Sequence, residues 1–237
     1  MHNIKKKVKK ERGRKHPLFA QVLFTVLAFV MMVALSYYFA RSLVNTSLMR
    51  YTESVFTFAQ AQIEEDLAKG SMTLGGFSQT IRTMILRGNS VDEIQIYMND
   101  VADYLSDNGF HTSGGNDLFC YLEAFPEGNV FLNSVGWAPP DTYVPTSRPW
   151  YINAIGAEGN IVISEPYLST FSGELIVTFS RSIHGIDGAQ LGIVCLNARV
   201  KEIGRIIVAT AHERDAFGML LDRNLYVLIF KRNSVDR

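Results

Sequence analysis

The hydrophobic positions change period twice along the chain. Leu18–Phe39 is an unbroken apolar run of 22 residues, uncharged, in which only Gln21, Thr25 and Ser36 are polar. Val44, Leu48, Tyr51, Val55 and Phe58 then recur at spacings of four, three, four and three. That predicts a helix over 41–69 continuing from the run, with Gly70 as its stop. Residues 71–89 are ambiguous and read as a turn at Gly75-Gly76 followed by a short helix to Arg87. Ser90 with Glu93 three residues on is a capping-box pattern. It opens a helix whose buried face is Ile94, Met98, Val101 and Leu105 and whose end is Asp107-Asn108-Gly109.

From Asp117 the period shortens to that of strands. Leu118–Ala124 and Val130–Val135 flank Pro126-Glu127-Gly128-Asn129, a hairpin signal. Ser147 is placed to cap a short helix with Pro149 in its first turn. Ile161–Leu168, Glu174–Ile183 and Gln190–Asn197 are three further strands, turned at Ser172-Gly173 and Asp187-Gly188. A helix from Lys201 to about Ala211 leads to a last hairpin, Phe217–Leu221 and Leu225–Phe230, around Asp222-Arg223-Asn224. The class is α+β: helices, a five-stranded meander with one helix inside it, and the first hairpin of a second module.

Charge sharpens the reading of the first run. Residues 1–17 carry eight Lys and Arg against Glu11 alone, and the remainder holds 15 basic and 22 acidic residues. A helix needs roughly 20 apolar residues to cross a bilayer core, and a basic cluster before it predicts a cytoplasmic N-terminus. The alternative is a cleaved signal peptide, whose apolar region is shorter and whose cleavage site is small-residue rich; Phe39-Ala40-Arg41-Ser42 is a poor one. The chain thus reads as a cytoplasmic tail (1–17), a single-pass helix of the cell membrane (18–39), and extracytoplasmic residues 41–237. The helix over 41–69 reads as a stalk or the seam of a homodimer, or as packing on the domain that it introduces.

An acidic body after a basic tail does not suit nucleic acid. The histidines (His2, His16, His111, His184 and His212) show no metal-ligand spacing, and no phosphate loop or nucleophile elbow occurs. No enzyme and no cofactor is expected. Cys120 and Cys195 sit in apolar strand-like runs and read as buried small hydrophobes rather than a bridge.

The candidate chemistry lies between Tyr143 and Asn197. Arg148-Pro149-Trp150-Tyr151, Ser164-Glu165-Pro166-Tyr167 and Gly192-Ile193-Val194-Cys195-Leu196-Asn197 resemble, in order and spacing, the R-x-W-[YF], S-x-P-Y and G-V-x-x-x-D motifs of double Cache (dCache) sensor domains of bacterial transmembrane receptors. The resemblance covers about residues 41–230. It implies a PAS-like five-stranded antiparallel sheet, a membrane-distal sensor module ending near 211, and an incomplete membrane-proximal module from 212 on. It also implies roles in signal transduction and chemotaxis, with any output activity, such as a histidine kinase or diguanylate cyclase, beyond this chain. In amino-acid-sensing members, residues at the positions of Tyr143, Arg148 and Trp150 hold the ligand carboxylate, and tyrosines at those of Tyr151 and Tyr167 line the pocket. Ser169 and Asn197 stand where those members carry acidic residues for the ligand ammonium.

Arginine donates two parallel hydrogen bonds to a carboxylate, whereas serine and asparagine cannot neutralise an ammonium. The expected ligand is therefore a small carboxylate-bearing molecule, with an organic acid favoured and an amino acid left open. The competing reading is a membrane-anchored structural or interaction module with no small-molecule ligand. In it Arg148 pairs with Asp141 or Glu165, Trp150 and Tyr151 are core aromatics, Tyr167 is a satisfied strand tyrosine, and Asn197 is a turn residue.

Overall fold

A computed structural model describes residues 16–107, 118–126, 128–203, 217–221, 225 and 227–232. The basic tail before residue 16, Asn108-Gly109 of the expected helix end, most of the helix expected over Lys201–Ala211 and the Asp222-Arg223-Asn224 turn fall outside them. The chain divides into two compact units, Met1–Phe56 and Thr57–Arg237.

Helix α1 runs from His16 to Leu86. Among the described residues it is the one helix long and apolar enough to cross a membrane. Its apolar residues from Leu18 to Phe39 are exposed, as are Val44 and Phe58 of the following stripe.

α1 does not stop at Gly70, nor turn at Gly75-Gly76. Leu67, Gly70, Leu74, Phe77 and Ile81 form one face of a continuous helix buried in the second unit, and that packing overrides the weak helix propensity of glycine. Gly70 permits a close approach instead of ending the helix. A Cβ there would lie 2.7 Å from Cζ of Phe179, a ring only 1% exposed. Alanine normally stabilises a helix interior over glycine by about 1 kcal/mol. Here we expect Gly70→Ala to destabilise by about 1–3 kcal/mol through overpacking. A raised unfolding temperature would contradict this.

Helix α2, Val91–Asp107, begins on the expected capping box. The Ser90 N–H donates to Glu93 Oε2 at 2.8 Å, and the Glu93 N–H donates to Ser90 Oγ at 3.3 Å. That backbone bond from Ser90, foremost, holds the Glu93 carboxyl below its ordinary range. Ile94, Met98 and Leu105 are buried and Val101 packs beside them.

The strands are β1 (Leu118–Leu122), β2 (Val130–Asn133), β3 (Val162–Ile163), β4 (Tyr167–Leu168), β5 (Leu175–His184) and β6 (Gln190–Arg199), with helix α3 (Pro149–Gly156) between β2 and β3. They form one antiparallel sheet in the order β2-β1-β6-β5-β3, with β4 also on β5. The expected meander is thus wrong in one connection. α3 carries the chain across a face, and β6 returns to the centre to pair with both β1 and β5. The single strand expected over Ile161–Leu168 is two short ones. Ser164 Oγ accepts the Thr178 N–H at 2.9 Å, a bond that a strand carbonyl would otherwise take, and Pro166 has no N–H for the ladder.

The sheet has two unlike faces. Leu118, Cys120, Leu122, Val177, Phe179, Val194 and Leu196 pack against α1 and α2 in the main core. Phe119, Ile193 and Cys195 face α3 with Trp150 and Ala154. Cys120 and Cys195 therefore lie on opposite faces and are unbridged. Burial pushes the Cys120 thiol up to about 12 and raises that of Cys195 as well, so neither is reactive at neutral pH. α4 (Val200–Ile203) follows β6, and β7 (Phe217–Leu221) pairs with β8 (Val227–Arg232) in a separate two-stranded sheet.

Candidate functional site

α3 covers only part of its face of the sheet. Beside it opens a cleft walled by β1, β2, β6, the loop after β2 and the loop after β4. Ser147 does not cap α3. It lies in a 3-10 turn, Pro145–Ser147, and its hydroxyl donates to the Val144 carbonyl at 2.8 Å. Arg148 holds the cap position in extended backbone, with Pro149 in the first turn and no side-chain cap.

The Arg148 side chain is half-buried between two rings. Its guanidinium carbon is 5.5 Å from the Tyr143 ring centre and 5.9 Å from that of Tyr167. Nη2 donates to Thr170 Oγ1 at 2.8 Å. Nε is buried and has no partner. The ion pairs among the described residues are Lys69–Glu65 and Arg199–Glu174, so Arg148 pairs with neither Asp141 nor Glu165. Among the described residues, none lining the cleft is acidic and Arg148 is the one charged. A buried cationic N–H without an acceptor is costly.

Trp150, 1% exposed, meets the Phe119 ring edge-on at 5.2 Å. Its indole N–H donates to Tyr143 Oη at 3.3 Å. Burial, above all, raises the Tyr143 phenol, which stays protonated at neutral pH. Tyr167 Oη is 2.6 Å from Thr178 Oγ1, and that hydroxyl donates to Asn197 Oδ1 at 2.7 Å. Burial, again the largest cause, pushes the Tyr167 phenol well up. Ser169 lines the cleft, but its hydroxyl accepts the Ser172 N–H at 3.2 Å and holds the loop.

Six of the seven residues expected in the pocket thus come together: Tyr143, Arg148, Trp150, Tyr167, Ser169 and Asn197. Tyr151 does not join them. One step along α3 turns a side chain by about 100°, and the Tyr151 hydroxyl donates to Glu123 Oε1 at 3.0 Å beyond the cleft. Sequence reasoning missed Trp137, Thr170, Phe171 and Thr178. Trp137 meets Tyr143 edge-on at 5.1 Å, and the Asn133 side chain bonds both its N–H and its carbonyl. The strand parity shared with Ile176 could have found Thr178; nothing in the loop sequences marked Thr170 or Phe171.

No family model matches the chain. It is 27% identical over 153 residues to the methyl-accepting chemotaxis protein McpB of Bacillus subtilis, covering 63% of this chain and 20% of that protein. The chain therefore spans about a fifth of the length of that relative. Its structure is similar to the ligand-binding domain of the amino acid chemoreceptor PctC of Pseudomonas aeruginosa in complex with GABA. The TM-score is 0.59 and the identity 18%, over 76% of this chain and 74% of that one. It is also similar to the ligand-binding domain of the Campylobacter jejuni chemoreceptor Tlp3 in complex with L-norvaline. There the TM-score is 0.58 and the identity 14%, over 78% and 69%. These likenesses show the fold: a long N-terminal helix followed by an antiparallel sheet with flanking helices, as in chemoreceptor ligand-binding domains.

Proposed function

We propose that this chain, which has the Cache-type fold of those chemoreceptor domains, is the ligand-sensing input region of a membrane-anchored signal-transduction receptor. Its cleft takes a small carboxylate-bearing ligand. The observation that carries this reading is Arg148: a half-buried guanidinium with a buried, unpartnered Nε–H in a cleft without acidic residues. GABA and norvaline, named with the two similar structures, both contain a carboxylate. On this reading Tyr143 and Arg148 contact the ligand carboxylate, with Trp150 fixing the Tyr143 hydroxyl. Tyr167, Ser169 and Asn197 form the rest of the wall.

The same reading orders the whole chain. Residues 1–17 are the cytoplasmic tail, Leu18–Phe39 spans the membrane once, and the sensor module runs from 41 to 211 on the extracytoplasmic side. The hairpin β7–β8 belongs to a second module. The helix over 41–69 is the stalk through which a second copy packs, since a ligand-driven helix displacement needs a neighbour to move against.

The test is a thermal-shift screen of the detergent-solubilised full chain against small carboxylates and their matched primary amides. Carboxylates raise the unfolding temperature and the amides do not. If no carboxylate stabilises the chain, or the amides do so equally, the anion site is lost and the structural-module reading takes its place.

A further inference from the structure

Beyond Arg148, the polar groups of the cleft form a directional chain. A hydroxyl has one proton to give. That of Thr178 goes to Asn197 Oδ1, so Thr178 Oγ1 can only accept from Tyr167, and the Tyr167 hydroxyl is the donor. Thr178 is fully buried, which keeps solvent out of the relay. The carbonyl end of the Asn197 amide is therefore occupied. Its Nδ2 is left to the cleft, and among the described residues it meets no acceptor. Tyr167 links the two ends of the site, its ring beside Arg148 and its hydroxyl at the head of the relay.

Both ends of the cleft thus present donors. An ammonium placed at Asn197 would meet an N–H instead of an oxygen, with no lining carboxylate to neutralise it. An unpaired charge there carries a heavy desolvation cost. Resting on the reading that Arg148 takes a carboxylate, we propose that Asn197, held in one orientation by Thr178 and Tyr167, is the specificity-determining residue of the cleft. It selects organic acids with a second oxygen acceptor, namely oxo-, hydroxy- or dicarboxylic acids, over amino acids of the same skeleton. Thr178 and Tyr167 are positioning residues.

The experiment is calorimetric titration of the full chain in detergent with oxo-, hydroxy- and dicarboxylic acids, each paired with the amino acid of its skeleton (2-oxoisovalerate with valine, malate with aspartate). The acid is expected to bind at least about tenfold more tightly than its amino partner. Asn197→Asp keeps the side-chain size, leaves one oxygen for Thr178 and turns the other to the cleft as an anion, so the preference inverts. Thr178→Val releases the amide, and discrimination falls to within a few-fold while carboxylate binding persists. If amino acids bind the unaltered chain as tightly as their oxo or hydroxy partners, and Arg148→Ala abolishes both, the Asn197 proposal fails and the carboxylate site stands. If no acid binds, or Arg148→Ala changes nothing, the carboxylate site fails with it.

Discussion

Arg148→Ala is expected to weaken binding of any carboxylate ligand by about 100-fold or more. Hydrogen bonds to a charged group contribute about 1.5–3 kcal/mol each, and tenfold in affinity is about 1.4 kcal/mol. Loss of two such bonds therefore removes at least two orders of magnitude. The position is prepared before the ligand arrives. Extended backbone at the start of α3 aims the side chain off the helix, the Tyr143 and Tyr167 rings flank it, and Thr170 fixes one nitrogen. Little rotamer freedom remains to be lost on binding. Arg148→Lys keeps the charge but not the planar fork and should fall between wild type and alanine. The fold survives either change, because Trp150 and Ala154 keep α3 docked on the sheet. Both tryptophans of the chain line the cleft, so their emission reports its integrity while calorimetry reads the affinity. Undiminished affinity in the alanine variant would contradict the account.

Gly192→Ala is the substitution expected to cost most in stability. Gly192 sits near the start of β6, paired with Leu122 on one side and Ile183 on the other, at φ 149°. A Cβ there would run into the Tyr121 carbonyl oxygen and come within 2.8 Å of Leu122 Cα. Those are backbone atoms of β1, which is paired on both sides, and cannot swing aside. The residue would also be forced into a conformation that L-residues rarely hold. Such strain costs about 1–3 kcal/mol and overpacking about as much again, against a total stability of about 5–15 kcal/mol for a typical domain. Gly173→Ala and Gly188→Ala are the controls. Both glycines have positive φ but open space where a Cβ would go, so only the backbone term applies. A denaturant midpoint for Gly192→Ala equal to those of the controls would contradict the clash.

What the sequence reveals of this fold follows the range of the interactions. The capping box of Ser90 and Glu93 acts over three residues, and it formed as expected. Strand positions followed from a two-residue period. The position of β6 between β1 and β5 depends on pairings such as Phe119 with Cys195, far apart in the chain, and no local pattern encodes it. Gly70 was misread for a similar reason. Its meaning is the Phe179 ring that packs on it, more than 100 residues away in the sequence. Of the residues in the short motifs, Arg148, Trp150, Tyr167 and Asn197 line the cleft, whereas the Tyr151 hydroxyl bonds Glu123. Thr170 became visible only through its partner, and strand parity could have placed Thr178 but not shown its bonds. They hold the guanidinium and orient the amide, and that work is defined by distances rather than residue type.

The central claim is that the Arg148 Nε–H receives a ligand anion, and that proton can be observed. In a ¹⁵N–¹H spectrum of the full chain in detergent, the Arg148 Nε–H signal is assigned by its loss in Arg148→Lys. Titration with the best-binding carboxylate of the panel should shift that signal downfield with the same saturation curve that calorimetry gives, and should slow its exchange with water. A ligand that saturates the protein while the Arg148 signal stays in place would contradict the account.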